Sequence, residues 1–392
     1  MATLHSWLVN VAMVGAAGCA DLTSTTQGQR SLDMRFAITD LGTLGGNFSE
    51  AVDLNARGQV VGNAGNAGGT GHAFLWQRGV MTDLGTLGGD ISVAADINER
   101  GQVVGYSTLV PDDFTFHAVL WDAGGMHDLG TLGGGSSAAS AINERGQIVG
   151  YADTAAGDTH AFLWQHGVMN DLGTLDGETA LSDAIAITES GLVIGASGTA
   201  SGARHAFLWR GGEMTDLGTL AWGSYPSAIN ERGQIVGVCT PHQPHPPSQA
   251  FVWQDGVMTD LGNPAEAADI NERGQVVGHL GHATRSRRAF VWEEGRMTEL
   301  GSLGGDASSA VAINERGQIV GVSSTTAGPF HAFLWQRGAM FDLGTLGGEY
   351  SEAVAISEGG DAIGYSDVSA ETGHAVLWTR IDLRDGDRDP AP

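Results

Sequence analysis

Residues 72–89 read HAFLWQRGVMTDLGTLGG, and residues 331–348 read HAFLWQRGAMFDLGTLGG, 259 positions on with two differences. Self-similarity of this kind marks a repeat protein, and its period decides the architecture. An Asp-Leu-Gly marker, or its Glu variant, begins at Asp40, Asp83, Asp128, Asp171, Asp216, Asp260, Glu299 and Asp342, with spacings of 43, 45, 43, 45, 44, 39 and 43. Between markers runs Ile-Asn-Glu-Arg-Gly-Gln-Val-Val-Gly, as at 97–105, with close copies at 142–150 and 313–321.

Each unit divides into four short strands. The first ends in Ala-Ile-Asn. In Asn-Glu-Arg-Gly the asparagine can bond its own backbone and the glycine can take positive φ, which makes a tight connection to the second strand, Gly-Gln-Ile-Val-Gly. The third, His-Ala-Phe-Leu-Trp, is a continuous apolar run without alternation, as expected of a strand covered on both faces. After a Gln-Arg-Gly turn comes the fourth, Val-Met-Thr-Asp-Leu-Gly. Four strands in about 43 residues match the period of a propeller blade.

A blade with two apolar faces needs a neighbour on each side, and a linear stack would leave its end blades bare. The chain ends complement each other instead. Residues 34–42, MRFAITDLG, have the form of a fourth strand without the preceding three, while the last unit reaches HAVLW at 374–378 and then lacks the turn to its own fourth strand. The expected fold is therefore an all-β propeller of four-stranded antiparallel blades spanning 34–383, with eight blades closed by the N-terminal strand; seven blades or an open arc are the alternatives.

Composition agrees. Of 392 residues 61 are glycine and only ten proline, so the glycines are turn residues between short strands. All nineteen basic residues are arginine, and 45 carboxylates bring the formal charge to −26. Such a surface repels phosphate backbones and argues against nucleic acid as a partner, leaving cations, sugars or a basic protein.

The N-terminus reads as an export signal over residues 1–20. It runs apolar from Trp7 to Ala17, then small, then polar, and is too short to span a bilayer. Ala16-Ala17-Gly18-Cys19 resembles a bacterial lipobox, with Cys19 as the lipidated residue; leucine is usual where Ala16 stands, and MATLHS carries no arginine or lysine. Ordinary secretion or a non-functional signal are the alternatives. Residues 21–33 form a polar tether and 384–392 an acidic tail. The expected location is outside the cell, at a bacterial surface through a lipid anchor or secreted, with the chain monomeric.

The units resemble the HAF family of extracellular repeats, on the His-Ala-Phe at 72–74, 160–162, 205–207 and 331–333 together with Asp-Leu-Gly-Thr-Leu-Gly-Gly and Ile-Asn-x-x-Gly-Gln-Val-Val-Gly. The resemblance implies export from a bacterial cell and brings no assigned activity, cofactor or catalytic residue.

Candidate chemistry is sparse. Histidine heads the third strand at His72, His117, His160, His205, His331 and His374, and Gln249 and Arg288 replace it in the other two units, so any hydrogen-bonding side chain serves a structural role there. The Asp-Leu-Gly aspartates are expected to accept backbone or tryptophan hydrogens between blades. Neither set predicts a metal site or a cofactor. Departures from the repeat are more informative. Unit five carries Leu-Ala-Trp-Gly-Ser-Tyr-Pro at 220–226 and a proline-rich insert at 239–247, which makes Trp222, Tyr225, His242 and His245 a candidate binding rim for an extracellular glycan or protein. The expected function is a non-enzymatic binding module. The alternative, a hydrolase or lyase acting on polysaccharide, would need unique carboxylates, for which Glu178 and Asp183 are the off-pattern pair.

Overall fold

The computed structural model describes residues 34–177, 180–242, 248–281 and 286–381. Residues 1–33, expected as a signal segment with Cys19 and a tether, together with Glu178, His245 and the expected acidic tail, lie outside the described residues.

Alternating turns and apolar runs give the expected four-stranded units. Blade 1 comprises Gly45–Leu54, Val60–Asn66, Gly71–Gln77 and Val80–Asp83, antiparallel in sequence order. Six further sheets repeat this order. The eighth takes three strands from the C-terminal part, Ser351–Ile356, Ala362–Asp367 and Gly373–Ile381, and its fourth from the N-terminal part, Arg35–Asp40, which pairs Ile38 with Trp378 and Asp40 with Val376. The first strands of successive blades touch one another all the way round, with blade 8 returning to blade 1, so they line the axis and the ring is closed.

The core lies in the seams. Eight apolar clusters each combine residues of two adjacent blades, as where Val104 and Leu120 of blade 2 meet Ile148 and Phe162 of blade 3. Phenylalanine of the third strand is fully buried in six blades. Burying one such ring is worth roughly 2–3 kcal/mol, and no single blade can supply both walls of its pocket.

Polar side chains lock the seams. In blade 7 the first-strand Ser308 accepts from Ala289 N of blade 6 and donates to Gly301 O, at 3.0 and 2.7 Å. Ser351 does the same for Ala332 N and Gly344 O. At the closure Ser49 accepts from Ala375 N and donates to Gly42 O. Blade 6 has Ala265 at this position and no hydroxyl to offer.

A bulge in each first strand explains the glycine of Ile-Val-Gly. Between Ala310 and Ala312 the register shifts, and the carbonyl of Ser309 then sits 2.0 Å from where a Cβ on Gly321 would stand. Only glycine leaves that backbone approach open.

Candidate functional site

The Asn-Glu-Arg-Gly turn joins first to second strand, at the axial edge of each blade and at one mouth of the channel. In blade 1, Asn55 Oδ1 accepts from Arg57 N and Gln59 N, while its Nδ2 donates to Gln59 Oε1 and to Asn98 O of blade 2. The same link runs from Asn98 to blade 3, from Asn143 to blade 4, and through Asn230, Asn271 and Asn314 to blade 8. Blades 4 and 8 carry Thr188 and Ser357 instead, which have no amide to donate.

The next residue builds a ring of carboxylates. Glu99, Glu144, Glu189, Glu231, Glu272, Glu315 and Glu358 each accept from a backbone N–H of the preceding blade, at 2.5–3.0 Å. Blade 1 has Ala56, so the ring has one gap. Seven negative side chains, exposed or half-buried, thus surround one mouth.

Two positions before the turn asparagine, further carboxylates occur unevenly. Asp53 and Asp96, on adjacent blades, hydrogen-bond each other; Asp53 accepts from Ile97 N and Asp96 from Ile142 N. Burial, and then the neighbouring Asp53 charge, holds Asp96 well above the usual carboxylate range, and burial also raises Asp53. Asp269 of blade 6 accepts from Ile313 N, and burial pushes its carboxyl up to about 6. Alanine fills the same position in the other five blades. Among the described residues, no group of three or more His, Cys, Asp or Glu is placed to hold a metal ion.

The Asp-Leu-Gly aspartates require a correction. Their partners are not across the seam but within the blade: in six blades the aspartate accepts from the third-strand histidine. Asp83 meets His72 Nδ1 at 2.9 Å, and the pairs His117–Asp128, His160–Asp171, His205–Asp216 and His331–Asp342 repeat the contact. The carboxylate also accepts from its own Gly N two residues on, as Asp83 does from Gly85. In blade 6 both partners change together, to Arg288 and Glu299 at 3.3 Å, and in blade 5 Gln249 reaches Asp260 at 3.4 Å. These pairs lie on the outer strands, away from the axis.

At the opposite mouth lie the irregular residues of blade 5. Trp222 and His242 stack edge to face with ring centroids 4.2 Å apart, and Trp222 and Tyr225 are 40% and 37% exposed. Tyr225 sits in the first strand, paired with Val238. Asp183 forms an ion pair with Arg204 rather than standing free.

No family model and no curated protein matches the chain. Among solved structures, an acylaminoacyl peptidase of Pyrococcus horikoshii is similar over 81% of this chain and 57% of its own, at 11% identity and a TM-score of 0.46. The chain thus spans little more than half the length of that protein. The β-propeller domain of the Trilobed protease from Pyrococcus furiosus is covered over 96% of its length and 76% of this chain, at 10% identity and a TM-score of 0.44. TolB from Acinetobacter baumannii is similar over 66% of this chain and 64% of its own, at 12% identity and a TM-score of 0.39. Puromycin-hydrolysing peptidases also appear among these similar structures. The expectation of a non-enzymatic extracellular binding module, with a polysaccharide hydrolase or lyase as its alternative, is corrected on this finding, since the similar propellers include those of peptidases, and neither reading is retained.

Proposed function

We propose that the chain is a peptidase-related propeller whose acidic mouth receives cationic polypeptide. The observation behind this reading is the ring of seven glutamates, each with one oxygen engaged by backbone and therefore held in place around the axis. Fixed like charges converging on one mouth raise the local concentration of a cationic ligand and its rate of capture, an effect that added salt screens. The net charge of −26 extends the same field over the whole surface.

The test is fluorescence anisotropy of a labelled nona-arginine peptide with the full chain, at several salt concentrations. Triple substitution Glu272→Gln, Glu315→Gln, Glu358→Gln should weaken binding about tenfold or more and flatten its salt dependence. Unchanged affinity in the triple variant would remove the mouth from the account. The blade 5 rim supports a subsidiary role, stacking an apolar or aromatic residue of the same polypeptide against Trp222 and Tyr225, because its rings remain part-exposed. Replacing both by alanine should weaken peptides containing tryptophan and leave nona-arginine unaffected.

A further inference from the structure

One constellation departs from the repeat at two positions, His279 and Ser309, beside a glutamate that blades 1 and 8 also carry as Glu50 and Glu352. On the second strand of blade 6, Val276–Leu280, His279 occupies a position that holds asparagine, tyrosine, alanine or valine in the other blades. It pairs across the sheet with Glu266 of the first strand, and its Nε2 lies 3.7 Å from Glu266 Oε2. On the other side its Nδ1 lies 3.2 Å from Ser309 Oγ, contributed by the first strand of blade 7. The serine position is Glu, Val, Ala, Asp or Tyr elsewhere in the ring. The His279 side chain is 9% exposed, Ser309 is half-buried and the Glu266 side chain is 44% exposed, so the base is shielded while the carboxylate reaches solvent.

Hydroxyl, imidazole and carboxylate in that order are the parts of an activated nucleophile: a base within hydrogen-bond reach of the hydroxyl, and a third group that orients the base. Roles and geometry, rather than chain order, define such a set; here Nδ1 faces the hydroxyl and Nε2 the carboxylate. In the tautomer that carries its proton on Nε2, the ring presents that N–H toward Glu266 and leaves Nδ1 to accept from Ser309.

We propose that Ser309, His279 and Glu266 form an acyl-transfer site for carboxylic esters or amides. Ser309 Oγ forms a bond to the substrate carbonyl carbon as its proton passes to His279 Nδ1. The carbon–leaving-group bond then breaks, and the leaving group departs with that proton. Water repeats the sequence on the acyl-serine, giving its proton to His279 and releasing the acid with Ser309 restored. Glu266 is a positioning residue that acts through its charge, facing Nε2 at 3.7 Å and stabilising the cationic form of the ring. The acidic mouth plays no part in this proposal.

The full chain is treated with a fluorophosphonate probe and digested for mass spectrometry, and its hydrolysis of p-nitrophenyl acetate is followed in parallel. The expected result is a single adduct on Ser309 and ester hydrolysis above the buffer rate. Ser309→Ala should abolish both with the fold retained by circular dichroism, the loss of the Ser309–His279 hydrogen bond lowering the thermal midpoint by a few degrees at most. His279→Gln should lower labelling and hydrolysis at least a hundredfold, the usual range for loss of a general base, and Glu266→Gln about tenfold. An adduct elsewhere, no adduct, or hydrolysis unchanged in Ser309→Ala would overturn the proposal. Should His279→Gln lower the thermal midpoint, the Ser309→Ala comparison still decides.

Discussion

Asp40 and His374 stand 334 positions apart in the chain and meet through both carboxylate oxygens at 3.0 Å from Nδ1. The contact that five other blades make between residues eleven apart is here made between the two ends of the ring. Asp40→Ala should therefore cost about 1 kcal/mol, the worth of a part-exposed hydrogen-bonded pair. Differential scanning fluorimetry should show a fall of a few degrees or less. Removal of residues 34–40 should do far more, because it bares the edge of Gly373–Ile381; light scattering should then report association through that edge.

Gly321→Ala should be among the most damaging single changes. Its Cβ would stand 2.0 Å from the Ser309 carbonyl, and backbone on both sides leaves no side chain to swing away. Forcing atoms into a packed seam costs about 1–3 kcal/mol or more, which urea titration should resolve as a lower midpoint at unchanged slope.

The channel aspartates make stability fall as pH rises. Asp269 has a folded pKa near 6 against an ordinary 3.8, so between those values the folded state holds a proton that the unfolded chain has lost. Its contribution is fully present below about pH 4 and lost as pH climbs through 6, an effect on the order of 2–3 kcal/mol. Asp53 and Asp96 act in the same direction. Asp269→Asn should flatten the fall between pH 5 and 7.5, as judged by denaturation midpoints across that range.

Gln249→His should stabilise. Glutamine reaches Asp260 only at 3.4 Å, whereas histidine in the blades that carry it closes to 2.9–3.0 Å. A gain of about 0.5–1 kcal/mol follows, visible as a thermal midpoint higher by roughly 1–3 °C.

Architecture was legible because it rests on covalent period and turn chemistry. The spacing of the Asp-Leu-Gly markers counted the blades, and the orphan strand at 34–42 foretold its seat beside Gly373–Ile381. The histidine–aspartate pairs were misread although their signal was present: the offset of eleven is invariant from His72–Asp83 to Arg288–Glu299, and in that last blade both members change together. Pairing Phe74 with Asp83 places His72 diagonally across from that aspartate, a relation that requires the register. Ser309 and His279 were not legible at all. They belong to different blades, thirty positions apart, and meet only because the ring sets one blade's second strand against the next blade's first.

The missing amides at Thr188 and Ser357 reach beyond local bonding. Counting round the ring, these residues fall in blades 4 and 8, diametrically opposed, so the chain of asparagine links divides into two arcs of four blades each. At the first break Glu231 compensates by gripping both Glu189 N and Ser190 N; at the second, Ala56 offers no such grip. Mechanically the closed circle is a pair of half-rings, sprung at one joint and clasped at the other by the N-terminal strand. A pull on the two termini would meet its least resistance at that clasp.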